Sequence, residues 1–143
     1  VYLLSPSVLE SIFKMKQKDS VIDYYSGGGS LKKYPLVILV DENTASASEV
    51  MAISLKQQYG ATIIGKKTYG KGTVQELNDN SNTDNNYSFK ITTMQWLAPD
   101  NTYINEVGIT PDVEVTLNEE FYNNPTDETD NQLQSAINHL INK

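Results

Sequence analysis

The seven residues Tyr34–Val40 read YPLVILV, a continuous apolar run. Such a run marks a strand that is covered on both faces. DENTAS breaks it. SASEVMAISLKQQY follows, with Ala47, Val50, Met51, Ser54 and Leu55 at helical spacing, and Gly60 stands as a stop. ATIIG is then a second short apolar run. Leu36 to Ile64 therefore reads strand, helix, strand, the unit that places two strands parallel in an α/β fold.

The flanking segments fill out this unit. LLSPSVLESIFKMKQK reads as a helix, with Ser5 as its cap, Pro6 in its first turn, and Leu9, Ile12, Phe13 and Lys16 on one face. SVIDYYS is a short strand, and GGGS is a flexible turn. TVQEL and YSFKITTMQWL are later strands, separated by the polar loop NDNSNTDNN. APDN is a turn, and PDVEVTL is a final strand. PTDETDNQLQSAINHLINK begins as a polar linker and becomes a helix through Leu133, Ile137, Leu140 and Ile141. No internal repeat is present, and 143 residues suit one domain with a core of its own.

Charge and composition exclude some functions. The net charge is −7, and all 11 basic residues are lysines. Scattered acids without a basic stripe argue against nucleic acid as a partner; solubility accounts for the acidity. The absence of cysteine removes disulfides, thiolate metal sites and a cysteine nucleophile. No apolar run approaches the roughly 20 residues of a membrane span. There is no signal peptide, but the chain opens at VYLL without an initiator Met, so a missing export signal carries no weight.

Two segments could carry chemistry. The first is the strand-to-helix corner VILVDENTASASEV. A serine at a helix N-terminus after a buried strand meets free N–H groups and the positive end of the helix dipole. The amide of the next residue, Ala47, can serve an oxyanion hole. Ser46-Ala47-Ser48-Glu49 is also an S-x-x-E capping box, and the local residues by themselves favour a cap over a nucleophile. A serine nucleophile needs a base. The single histidine, His139, falls in the C-terminal helix and reads as a surface residue, which leaves a lysine. A lysine base must be neutral, hence desolvated.

The second segment is IIGKKTYGKGTVQ. It matches the opening of a phosphate-binding G-x-x-x-x-G-K-[ST] loop, but Gly72 stands where a Mg²⁺-binding hydroxyl is required. Lys71, between Gly70 and Gly72, is the better candidate base, because the backbone there can approach other groups closely. Lys66 and Lys67 read as surface. Gln75 could orient Lys71 without adding charge, whereas a carboxylate would raise the lysine pKa. The four-residue gap spans about 13 Å in a straight strand, so that contact needs a bend, which Gly72 permits. A bulged strand edge with a surface lysine is the bland alternative. DNSNTDNNYSFK, opening at Asp79, lacks the glycine and the glutamate of a calcium loop. Tyr24, Tyr25, Tyr87, Phe89 and Trp96 lie within strands and read as core or sheet surface.

DENTASASEVMA, GKKTYGKGTVQ, ITTMQWLAPDN and GITPDVEV, in this order, resemble the C-terminal processing peptidases, the tail-specific (S41) serine protease family. DNQLQSAINHL resembles that family's C-terminal helix. The resemblance covers most of the chain. It implies a Ser-Lys dyad assisted by glutamine, with Ser46 as nucleophile, a buried Lys71 as general base, Gln75 as its orienting residue and the Ala47 N–H in the oxyanion hole. Ser48 and Thr44 become structural by this mapping. It further implies a mixed α/β core with flanking helices, like that of the ClpP and crotonase group. The substrates would be proteins or peptides cleaved near their C-termini, with no metal and no cofactor. Export to the cell envelope or beyond is implied, with a membrane anchor and a homo-oligomer both compatible with it. The family's PDZ domain and its upstream NPGG stretch do not occur in the chain, so residues 1–143 read as one incomplete catalytic domain, with slow or no hydrolysis expected of the piece itself.

Two other functions compete. The same fold in retinoid-binding repeats holds a ligand, so a non-catalytic peptide- or small-ligand-binding module is the alternative. A nucleotide-binding protein on the near-miss phosphate loop is the third reading.

Overall fold

The computed structural model describes residues 11–27, 34–79 and 87–142. The strands are β1 (Ser11–Gln17), β2 (Ser20–Tyr25), β3 (Val37–Val40), β4 (Thr62–Gly65), β5 (Thr73–Asp79), β6 (Ser88–Leu97) and β7 (Val113–Glu114). The helices are α1 (Ala47–Ser54), which continues as a π-helical turn over Leu55–Tyr59, α2 (Glu119–Asn123) and α3 (Asn131–Ile141). Two sheets form. One is antiparallel in the order β2-β1-β6-β5, and the other is parallel in the order β3-β4-β7. The expected mixed α/β architecture is present.

The strand–helix–strand unit folds as the sequence predicts. β3 and β4 pair in parallel from Val37 opposite Thr62 to Val40 opposite Gly65. Gly60 ends the intervening helix in the left-handed conformation, φ 82°. Ile38, Val40 and Ile63 lie on one face of the parallel sheet and pack with Ala52 and Ile53 of α1 and with Ile109. Ile64 lies on the other face, wholly buried, where Ser135, Asn138 and His139 of α3 stand against it. The apolar runs thus sit in a sandwich of two helices, although Leu39 remains 40% exposed.

The N-terminal helix is not what forms. Residues 11–17 are strand β1, paired with β2 and β6, and Ser5, Pro6 and Leu9 lie outside the described residues. Over this short stretch Ile12, Phe13 and Met15 satisfy a helical and an alternating pattern equally. Cross-strand packing decides between them: Phe13 stacks on Tyr24 at 4.6 Å and meets Trp96 edge-on at 4.9 Å. A bulge at Ile12 turns that residue toward Leu55 and Ala61. The GGGS turn lies almost wholly outside the described residues, as does most of the loop after β5.

α3 forms, but with a different face inward. Gln132 and Ala136 are buried, while Ile137, Leu140 and Ile141 are exposed. Polar contacts set its rotation: Gln132 donates to the Val115 carbonyl at 2.7 Å, and His139 Nε2 lies 3.1 Å from Thr62 Oγ1. Asp130 caps it by accepting the Leu133 N–H.

Asp112 ties the parallel sheet to the π-helical turn that follows α1. Its carboxylate accepts the Ile63 N–H at 2.9 Å and pairs with Lys56 at 2.6 Å. Burial pushes this carboxyl up, but the Ile63 N–H, the Lys56 ammonium and the charge of His139 outweigh it and hold the group below its ordinary value. A carboxylate depressed in the folded state stabilises above its unfolded pKa, and that contribution is lost as pH falls through the folded value. Unfolding by urea should therefore show wild-type stability declining below about pH 4, with Asp112→Asn declining less over the same range. Equal acid sensitivity of the two proteins would contradict this.

Candidate active site

The corner after β3 is built by Asp41. Its Oδ1 accepts the Asn43 N–H at 3.0 Å, the Thr44 N–H at 2.8 Å and the Thr44 hydroxyl at 2.9 Å, and Thr44 Oγ1 takes the Asp41 N–H in return. Burial pushes the Asp41 carboxyl up, but the hydrogen bonds from Thr44 and Asn43 outweigh it and hold it ionised more strongly than usual. The Thr44 carbonyl accepts the Tyr69 N–H at 3.0 Å, which joins this corner to the lysine-bearing loop. Thr44 thus bonds both Asp41 and the loop that carries Lys71.

Ser46 caps α1 with φ 59° and ψ −122°. A positive φ in a residue with a Cβ is strained, and such strain persists where surrounding bonds enforce it. Glu49 does so here: its Oε2 accepts the Ser46 N–H at 2.8 Å, the return half of the capping box. The carboxylate therefore secures the helix end and holds Ser46 in its turn at once. Ala47 is the first residue of α1, where amides lack intrahelical acceptors. It is exposed, as is Ser48, and Ser46 is half-buried.

Glu49 reaches further than the cap. It is wholly buried. Oε1 accepts the Thr68 hydroxyl at 2.5 Å and the Gly70 N–H at 2.7 Å, and Oε2 accepts the Lys71 N–H at 2.8 Å. One carboxylate oxygen thus bonds the backbone nitrogens of both Ser46 and Lys71, which lie no farther apart than twice 2.8 Å. Residues 25 apart in sequence meet at one atom. Reading the sequence locally identified Glu49 only as a helix-capping partner; its reach to residues 68–71 had no local signal.

The glycines beside Lys71 serve close approach. A Cβ on Gly70 would stand 2.9 Å from the Gly108 nitrogen, and one on Gly72 would stand 2.4 Å from the Asn105 nitrogen. The loop after β4 is thus pressed against residues 105–108, and it continues into strand β5 with no helix. A phosphate loop needs a helix N-terminus at that point, so the nucleotide reading fails on the fold as well as on Gly72.

Two expectations about Lys71 and Gln75 differ from what is seen. Lys71 is exposed rather than buried. Gln75 does not turn back to it. β5 starts at Thr73, the ladder with β6 is irregular between Val74 and Gln75, and the Gln75 amide lies 3.5 Å from Thr92 Oγ1. Among the described residues no hydrogen bond joins the Lys71 ammonium to Ser46 or Gln75. Lys66 pairs with Glu42 at 2.9 Å, at the surface as read.

His139 is remote from this corner. It bonds Thr62, at the start of β4, on the α3 face of the sheet. Ser46 follows the opposite end of the parallel strand and begins the helix on the other face. Across three residues of strand that separation is about 10 Å before the sheet is crossed. Among the described residues no group of acidic or histidine side chains could hold a metal ion, and no helix is long and apolar enough to cross a membrane.

The model of peptidase family S41 matches residues 2–115. The chain is 34% identical over 132 residues to a carboxyl-terminal-processing protease of Picosynechococcus, covering 92% of this chain and 31% of that protein. It is 40% identical over 83 residues to the carboxy-terminal processing protease CtpA of Bacillus subtilis, covering 58% of this chain and 17% of that one. The solved photosystem II D1 C-terminal processing protease superposes with a TM-score of 0.70 at 31% identity, over 80% of this chain and 29% of the other. The chain spans less than a third of the length of these relatives.

Proposed function

Because the chain belongs to peptidase family S41, we propose that it supplies the catalytic corner of a serine endopeptidase that cleaves proteins near their C-termini. One observation supports this reading: Glu49 Oε2 bonds the backbone N–H of both Ser46 and Lys71 at 2.8 Å, so the main chains of the proposed nucleophile and the proposed base run side by side. The relatives are named for processing carboxyl termini, and the same substrate class is proposed here.

The chemistry runs in two steps. Neutral Lys71 takes the Ser46 proton as Ser46 Oγ attacks the scissile carbonyl, and the Ala47 N–H donates to the oxyanion. The protonated lysine returns its proton to the leaving amine. Lys71 then activates a water that releases the acyl group, regenerating the Ser46 hydroxyl. The solvated Lys71 must lose water to act at neutral pH. We assign that desolvation to the bound peptide and to parts of the full-length protein outside these residues. Gln75 reaches Lys71 only if it leaves Thr92, so its orienting role belongs to that covered state. A PDZ domain, a homo-oligomer and an extracytoplasmic location in the full-length protein belong to the same proposal.

Hydrolysis of a peptide with an apolar C-terminus by the full-length protein tests it. Lys71→Ala should lower kcat by about 10³-fold or more with the protein still folded. Wild-type cleavage by that variant removes Lys71 as the base.

A further inference from the structure

The main chain around Lys71 is bonded on every side. Glu49 takes the Gly70 and Lys71 N–H groups, Glu106 N donates to the Gly70 carbonyl at 2.8 Å, and Trp96 N donates to the Gly72 carbonyl at 2.7 Å. The Gly72 N–H is different. Its acceptor is a neutral side chain, Asn105 Oδ1, at 3.2 Å. Gly72 is buried, so without that oxygen its N–H would meet no solvent. Asn105 is also the residue against which Gly72 is pressed, with no room for a Cβ. The segment carrying Asn105 is itself anchored: Glu106 turns with φ 61°, the Thr68 N–H reaches the Ile109 carbonyl at 3.1 Å, and the Ile109 N–H reaches Thr68 Oγ1 at 2.7 Å.

We propose that Asn105 is a positioning residue for Lys71, and that its neutrality matters as much as its hydrogen bond. The inference rests on the Ser46–Lys71 reading above. A lysine base has to be uncharged when substrate arrives, and a carboxylate nearby favours its ammonium form. Among the described residues, Glu49 is the carboxylate bonded to the main chain of this loop, and it is wholly buried and satisfied by four donors, whereas Glu42 meets the loop at the Lys66 ammonium and Glu106, beside Asn105, is exposed. An aspartate at 105 would accept the same N–H with almost the same shape, but would add a half-buried negative charge one residue from Lys71. The hydrogen bond and the charge can therefore be separated by substitution.

The test is kcat and KM against pH for full-length wild type, Asn105→Asp, Asn105→Ala and Ser46→Ala, with thermal unfolding of each. Asn105→Ala should lower kcat about tenfold with KM within about twofold, because the base loses its fixed position. Asn105→Asp should keep the wild-type unfolding temperature and move the acidic limb of the kcat/KM profile upward by about half a pH unit or more. The inference is overturned if Asn105→Asp keeps the wild-type profile. It is equally overturned if Asn105→Ala keeps wild-type kcat, or loses activity only in step with stability. Activity in Ser46→Ala would instead bring down the Ser-Lys reading, a signature that no result at position 105 can imitate.

Discussion

Ser46→Ala in the full-length protein should lower peptide hydrolysis by about 10⁴-fold or more and leave the protein folded. The structural reason for retained folding is specific. The Glu49 carboxylate accepts from the Ser46 main-chain N–H, so that bond survives the substitution. Ser46→Gly should go further and stabilise the protein by about 1 kcal/mol, because φ 59° and ψ −122° strain any residue with a Cβ. Loss of function with a gain in stability is the pattern of a residue held for chemistry. A serine present only as a cap gives the reverse: a loss of about 1 kcal/mol and unchanged hydrolysis. Urea unfolding and hydrolysis rates measured on the same three proteins decide between them.

Glu49→Ala should be the most damaging single substitution to stability. The carboxylate is wholly buried and accepts from the Ser46, Gly70 and Lys71 N–H groups and from the Thr68 hydroxyl. Removing it strands four donors, each worth about 1–3 kcal/mol when buried and unpaired, and opens a cavity. Relaxation recovers some of this, so a net loss of about 4 kcal/mol or more is expected, a large part of a domain's usual stability. Glu49→Gln keeps the volume but turns one acceptor into a donor that faces N–H groups. It should cost about 2 kcal/mol and reduce kcat by roughly 100-fold, since Ser46 and Lys71 lose their shared acceptor. Glu49→Ala with wild-type stability would show that the carboxylate does not hold these elements together.

Part of this arrangement is legible in the residues themselves. The apolar runs VILV and TIIG, the helix between them and its glycine stop form where their patterns place them. The strand-to-helix corner with Ser46 and the glycine-flanked Lys71 stood out as candidates by chemical type, although only the family resemblance favoured them over a helix cap and a surface lysine. The N-terminal segment could not be assigned, because three apolar residues in a short stretch fit two periods, and the choice fell to Tyr24 and Trp96 on other strands. Likewise α3 has its Leu133, Ile137, Leu140 and Ile141 stripe in sequence, yet a glutamine and a histidine that find partners at Val115 and Thr62 set which side faces in.

What the sequence determined by itself is local: which segments extend or coil, where the chain must turn, and which residue types can attack, donate or accept. Only the tertiary structure decided that Glu49 spans from its own helix end to residues 68–71, that Asn105 supplies the remaining acceptor beside Lys71, and that Lys71 stands in solvent among the described residues. The physical reason is that a buried polar group must find its partners wherever the fold brings them, and no spacing along the chain records a meeting between residues 46, 71 and 105.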